Sequence, residues 1–301
     1  QGKIIPQIRH KAVITMAGDH GVVAEKVGNY PQEVTPQMVL NFVGGGAAIN
    51  VIARQIGARV VVDNMGVAGD LPLDIPVVNK LIARGTANIA QGPAMTEAQA
   101  IQAIEAGIEV INAEIDKGLD IVGTGDMGIG NTTPSAAICA VMTGHSVAKV
   151  TGRGTGLSDQ QLEHKIRVIE KAIFVNNPDS SNALEVLAKV GGFEIGGITG
   201  VILGAAARGI PVVVDGFISG AAALIAAGLS PQSKDYMFLG HLSVEPGHLI
   251  IAEKLGLKPI VTLDLRLGEG TGAAIGIFIA ETSAKILAEM ATFGEAGVSE
   301  S

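Results

Sequence analysis

Tryptophan is absent from this chain of 301 residues, cysteine occurs once, and there are only seven Phe and two Tyr. With so few rings, a planar ligand has to stack on aliphatic or Met side chains, or on one of the rare Phe and Tyr. The one cysteine, Cys139, cannot form an internal disulfide. It lies in the apolar run Ala136-Ala137-Ile138-Cys139-Ala140-Val141 and reads as a small buried hydrophobe, not a nucleophile. One cysteine and no signal-peptide pattern point to a reducing, cytoplasmic setting. Basic residues number 21 against 29 acidic ones, the net charge is −8, and no basic run occurs, which argues against a nucleic-acid partner. A small anion remains acceptable, because backbone N–H groups bind it locally whatever the global charge. Mean hydropathy is high at +0.42. No uninterrupted apolar run reaches the roughly 20 residues of a membrane helix, so no membrane partner is expected.

Glycine, by contrast, is abundant, with 41 residues and no collagen-like period. The glycines gather where apolar runs meet polar loops, where a backbone can approach a ligand closely. The runs are Ala12–Met16, Val60–Asp63, Asp120–Gly123, Pro211–Asp215, Tyr236–Leu239 and Ile260–Leu263. They are continuously apolar, as strands of a parallel sheet covered on both faces are. Helical stretches alternate with them. Thr96-Glu97 opens one to about Lys117, and Ser158 caps another to about Phe174. Others are expected over about 37–56, 132–142, 198–208, 246–255 and 272–290. The pattern predicts a Rossmann-like, doubly wound α/β fold with a mostly parallel sheet and helices on both faces.

Ligands of such sheets bind beyond the carboxyl ends of the strands. Gly-and-polar loops are read there at 16–21, 123–134, 151–156, 215–220, 240–245 and 266–272. The stretch Gly123–Pro134 resembles a phosphate or dinucleotide loop. Gly123, Gly125 and Gly128 fit G-x-G-x-x-G, but the loop runs on through Gly130 before any helix. Thr132 and Thr133, with Pro134, suit a helix N-terminus that attracts an anion. Asp126 inside the loop favours a ligand over a mere turn. Thr151–Gly156 offers a second cradle of N–H groups around Gly152 and Gly154, with Arg153 as its cation and Lys165 on the next helix. Glu269 stands between Gly268 and Gly270, and small neighbours leave its carboxylate open to a flat substrate. Burial under that substrate would raise its pKa towards that of a general base. The same residue reads equally well as a carboxylate stabilised by the helix that follows it. Asp19-His20 and the His241/His248 pair match no metal motif, so no metal is expected.

Six segments in one order then resemble a known family. They are Gly18-Asp19-His20-Gly21, Arg84–Ile89 with Gly92–Met95, Gly125–Pro134, Lys189–Ile195, Asp215-Gly216-Phe217 and Leu265–Ala274. Together they look like the nicotinate-nucleotide–dimethylbenzimidazole phosphoribosyltransferases, over about residues 10–290. The resemblance implies phosphoribosyl transfer from nicotinate mononucleotide to 5,6-dimethylbenzimidazole, without metal or cofactor, by a cytoplasmic homodimer. It implies Glu269 as catalytic base, Asp126 as the acidic residue of the Gly-rich loop, and Lys165 as a phosphate ligand. Tyr30, Met38 and Leu267 align with residues around the benzimidazole. Gly128, Asn131, Thr132, Thr133, Gly152, Arg153, Gly154, Asp215 and Gly268 complete the expected substrate contacts. It also implies a large α/β domain, here 10–268, and a small helical domain to which 269–293 contributes. The N-terminal stretch of that small domain, with its Lys-Pro-Pro-Gly-Ser-Leu-Gly motif, is not in this sequence. Two other readings stand beside this one: a dinucleotide-dependent oxidoreductase, suggested by the Gly loops, and a non-catalytic nucleotide-binding module.

Overall fold

The computed structural model of the chain describes residues 4–299. Its strands are β1 (Lys11–Gly18), β2 (Ala58–Gly66), β3 (Val78–Asn79), β4 (Ile121–Met127), β5 (Val212–Val214), β6 (Met237–Leu242) and β7 (Pro259–Thr262). They form one sheet in the order β3-β2-β1-β4-β5-β6-β7, with every neighbouring pair parallel. The chain first builds outwards from β1 to β3, then returns through a helix to place β4 on the other side of β1. That reversal opens a crevice beyond the carboxyl ends of β1 and β4.

Both faces of the sheet are covered, which is why the strands are apolar throughout instead of alternating. Ala12, Ile14 and Met16 of β1 point into one core cluster, and Val13 and Ala17 point into the other. The first cluster is shared with α3 (Glu97–Asp116), α4 (Thr132–Thr143), α7 (Ala183–Val190), α8 (Phe193–Ala207) and α9 (Phe217–Leu229). The second is shared with α1 (Val34–Val43), α2 (Ala48–Ile56) and α11 (Thr271–Glu289). Short α5 (Val147–Val150), α6 (Asp159–Asn176), α10 (Pro246–Leu255) and α12 (Phe293–Ala296) complete the helices. Thr96 and Ser158 start α3 and α6 with reciprocal caps, each accepting from the N–H of a Gln three residues on, as the local sequence indicates.

Several expectations need correction. The helix expected over 37–56 is two helices, broken at Gly44-Gly45-Gly46, where Gly45 has φ 75°. The loop expected at 215–220 is a loop only to Gly216, because α9 begins at Phe217. That helix is buried on nearly all sides, so it carries no amphipathic period to reveal it. Thr151–Gly156 follows α5 and not a strand. The expected division at residue 268 does not mark a break in packing. The first half of α11 is buried through Ala273, Ala274, Gly276 and Ile277 on the sheet, and only the second half stands clear. Val34–Ile56 and Thr271–Glu289 are long and apolar enough to cross a bilayer by length and composition. The first is interrupted, however, and the second is partly a core helix.

Helices α3 and α8 show one use of the glycines. A Cβ on Gly107 would overlap the carbonyl oxygen of Gly197, and one on Gly200 would overlap that of Ile104. The two backbones touch because no side chain intervenes. Gly200→Ala should force them apart and cost about 1–3 kcal/mol, the usual range for an overfilled core. Gly92→Ala, with nothing within 4 Å of the new methyl group, should leave the urea midpoint unchanged. Equal midpoints for the two variants would mean that the helices are not locked by this contact.

Candidate active site

A cleft of about 850 Å³ opens at the carboxyl edge of the sheet. Its walls come from Thr151–Gly156, from Val244–Pro246 after β6, from Asp264–Leu267 after β7, and from Tyr30. A smaller cavity of about 70 Å³ shares Tyr30, Arg153 and Gly154 with it and reaches Gly128–Thr132 and Lys165. The residues named from sequence as Tyr30, Gly128, Asn131, Thr132, Gly152, Arg153, Gly154, Lys165 and Leu267 therefore do line one connected region. Met38 does not line it. It is half-buried on α1, packed against the second core cluster.

Glu269 lies two residues beyond Leu267, in a turn whose three residues are all left-handed. The φ values are 83° at Gly268, 65° at Glu269 and 99° at Gly270. A side chain in that region costs roughly 1–2 kcal/mol, and such strain collects at functional sites. The surroundings impose it. The Thr15 hydroxyl of β1 donates to the Glu269 carbonyl at 3.0 Å, and Gly125 of β4 presses on that carbonyl so closely that a Cβ would overlap it. The carboxylate then reaches the start of α2. Its Oε2 accepts the Ile49 N–H at 3.0 Å, and the Ala48 N–H also donates to it. The residue before α2 is Ala47, which has no oxygen to cap the helix, so Glu269 serves instead. The expectation of an open carboxylate is corrected: Glu269 is only 6% exposed. Its helix partner is α2 and not the helix that follows it. Burial pushes its pKa up, and the two backbone donors only partly oppose this.

Two more carboxyls stand beside it. Asp126 at the end of β4 accepts from Asn131 Nδ2 at 2.9 Å, and a Cβ on Gly268 would lie 3.4 Å from its Oδ2. Burial, helped by the charges of Asp215 and Glu194, raises its pKa to about 8. Asp215, just past β5, is fully buried. Its oxygens accept Gly270 N–H at 3.2 Å and Ala273 N–H at 3.0 Å. Burial raises it to about 7 against the pull of those donors. The Asp215 carboxylate, expected from sequence among the substrate contacts, faces the start of α11. Gly123 and Gly125 sit inside β4 and not in a loop, so the G-x-G-x-x-G reading does not describe a phosphate turn. These glycines make room for α11 and the Glu269 turn.

The anion end is built around Lys165. Its side chain is 1% exposed, and its Nζ donates to Thr132 Oγ1 at 2.7 Å. Burial lowers its pKa to about 8, with Glu245 pulling the other way. The N–H groups of Asn131 and Thr133 are engaged within the turn, on Gly128 and Gly130 carbonyls, and Thr133 is fully buried. Asn131 lines the cavity while holding the turn, and Thr133 shapes the loop from within. Arg153 is turned outwards: its guanidinium donates to the Leu157 carbonyl at 2.8 Å and to Asp159. The cradle at Gly152–Gly154 holds Glu245, whose Oε1 accepts the Gly154 N–H at 2.9 Å. Nothing near Glu245 in sequence signals this, because the contact joins two distant loops.

The fold also pairs two residues from separate sequence motifs. His20 lies 2.9 Å from Glu194 at the start of α8, both buried. Burial alone would lower His20, but the Glu194 carboxylate holds its pKa above the ordinary value. Asp19 accepts from Thr35 Oγ1 at 2.7 Å and from Ala68 N–H at 2.9 Å. The Gly18–Gly21 motif is thus engaged inside the protein. His248 Nδ1 accepts from Ser243 N–H at 3.0 Å.

The buried carboxyls fix a pH dependence. Asp126 and Asp215 have pKa values raised to about 8 and about 7, so the folded chain holds protons that the unfolded chain releases near pH 4. Stability should therefore fall as pH rises from about 4 to 8. Asp126→Asn should flatten that fall when urea melts are compared across the range. An unchanged slope would show that Asp126 ionises at its ordinary value.

The family model described as phosphoribosyltransferase matches residues 1–298. The nicotinate-nucleotide–dimethylbenzimidazole phosphoribosyltransferase of Dehalococcoides mccartyi is 61% identical over 300 residues, covering 100% of this chain and 85% of that protein. The protein of the same name from Desulforudis audaxviator is 57% identical over 299 residues, covering 99% and 85%. The crystal structure of the enzyme so named from Thermus thermophilus superposes with a TM-score of 0.93 at 45% identity, covering 100% of this chain and 89% of that one. A structure of CobT from the same organism gives 0.95 at 46%, covering 100% and 90%. With the fold, the Glu269 turn and the Lys165 pocket in place, the chain belongs to the nicotinate-nucleotide–dimethylbenzimidazole phosphoribosyltransferase family.

Proposed function

We infer that the chain transfers the phosphoribosyl group of nicotinate mononucleotide to 5,6-dimethylbenzimidazole, giving α-ribazole 5′-phosphate and nicotinate. The observation that carries this reading is Glu269, a buried carboxylate of raised pKa, fixed in a strained turn one step from the wall of the cleft. The likeness to the Dehalococcoides and Desulforudis proteins supplies the substrates.

The chemistry then assigns work to these residues. The glycosidic bond breaks with its electrons going to the pyridine nitrogen, so nicotinate leaves without needing a proton. An azole nitrogen attacks C1′ from the opposite face, and the configuration inverts from β to α. As that bond forms, the proton on the other azole nitrogen has to leave, and Glu269 takes it. Lys165 and the Thr132 hydroxyl hold the phosphate. Tyr30 and Leu267 face the same cleft and offer the flat base a ring and an aliphatic surface. Asp126, protonated up to about pH 8, donates a hydrogen bond into the site and adds no further charge to it.

The oxidoreductase reading loses its support because Gly123 and Gly125, the first two glycines of the G-x-G-x-x-G spacing, lie in β4. We propose further that 269–293 contributes to a small helical domain and that the chain pairs with a second copy. Phe278, Ile286, Leu287 and Phe293 are exposed apolar side chains whose burial in such contacts would be favourable.

Incubation with both substrates should yield α-ribazole 5′-phosphate, and Glu269→Gln should lower kcat by about 10²–10⁴-fold. The amide still accepts from α2, so loss of stability should stay within about 1 kcal/mol. A Gln variant with near-normal kcat would remove Glu269 as base, and absence of product from the unaltered chain would remove the function.

Lys165→Ala should raise KM for nicotinate mononucleotide more than KM for the benzimidazole. In the unaltered chain, KM for the nucleotide should also rise as pH passes through about 8, where Lys165 loses its charge. Equal effects on both substrates would place the phosphate elsewhere.

A further inference from the structure

Helix α11 begins at Thr271 after Gly270, a residue with no side chain to cap it. Its cap comes from another part of the chain. Asp215 Oδ1 accepts the Ala273 N–H at 3.0 Å, and Oδ2 accepts the Gly270 N–H at 3.2 Å. Gly270 is the residue next to Glu269. The main chain of Asp215 is itself pinned, since its N–H donates to Thr124 Oγ1 of β4 at 3.3 Å. From the other side, Thr15 of β1 holds the Glu269 carbonyl. The ends of β1, β4 and β5 thus grip the turn that bears Glu269. The sequence singles out Asp215-Gly216-Phe217, and the structure turns the Asp215 carboxylate to the start of α11.

We propose that Asp215 is a positioning residue for Glu269: its carboxylate clamps the Gly270 N–H and the start of α11, and so fixes the left-handed turn that aims the Glu269 carboxylate. The inference rests on Glu269 being the base. An unclamped Gly268-Glu269-Gly270 turn is free to leave the left-handed region, because glycines on both sides allow it and a non-glycine residue prefers to. The carboxylate would then stand away from the azole proton. A misplacement of about 1 Å in a reacting group costs on the order of 10²-fold in rate.

Asp215→Asn keeps the size of the side chain but puts an amide N–H₂ against one backbone donor. The measurement is kcat and both KM values for Asp215→Asn, Glu269→Gln and the double variant, with thermal melts. Asp215→Asn should lower kcat by about 10–100-fold and change KM little. In the Glu269→Gln background it should lower kcat no further, because there is no base left to aim. If the two losses multiply, Asp215 acts independently of Glu269 and the proposal is overturned. A kcat unchanged by Asp215→Asn overturns it equally. Should Asp215→Asn fail to fold, Thr15→Val removes the opposite grip on the same turn, and its loss of kcat should likewise vanish in the Glu269→Gln background. If Glu269→Gln alone keeps normal kcat, the base assignment itself has failed, and that result is separate from the others.

Discussion

Helices α2 and α11 each follow a residue with no capping side chain, and each is capped from a distance by a carboxylate. Asp215 caps α11, which follows Gly270. Glu269, the residue before that glycine, caps α2, which follows Ala47. The chain of contacts runs from the end of β5 to the start of α11, and from there to the start of α2. The position of the Glu269 carboxylate is therefore set by the sheet. Glu269 has to be left-handed for this geometry to close, and the cost is met by packing in the core.

The same arrangement gathers negative charge in a dry place. Asp126, Asp215, Glu194 and Glu269 influence one another at the carboxyl edge of the sheet. Like charges in poor solvent cannot all ionise, so some carboxyls stay protonated while others accept backbone donors. His20 sits 2.9 Å from Glu194, whose carboxylate holds the His20 pKa above its ordinary value. At the other end of the cleft, Lys165 is the buried cation, with Glu245 as its counter-charge. A donor with an anionic phosphate and a cationic glycosidic nitrogen suits a site with these opposite ends.

The sheet is legible in the sequence because the buried strands are short, continuously apolar runs, most of them rich in β-branched residues. The edge strand β3, two exposed residues long, offers no such run. Helices with a polar face are legible too, and the caps at Thr96 and Ser158 mark their starts. Helix α9 is not, since a helix buried all round has no period to read. In the site, the family motifs bring Glu269, Lys165 and the Gly-rich loop to notice. They do not show what each side chain faces. Arg153 reads as a ligand because it lies among glycines, but it pairs with Asp159. Asp215 stands out in the sequence as a substrate contact, yet it holds the start of a helix. That Glu245 meets Gly154, and that His20 meets Glu194, carries no local signal. Their partners lie far along the chain, and only the fold brings them together.

In the proposed reaction, the strained turn at 268–270 delivers the Glu269 carboxylate to the azole. A high-resolution crystal structure with 5,6-dimethylbenzimidazole bound tests it directly. Residues 268–270 should all remain left-handed, with a Glu269 carboxylate oxygen roughly 2.6–3.2 Å from an azole nitrogen. A bound base whose nitrogens lie beyond reach of Glu269, or a Glu269 with negative φ, would contradict the account.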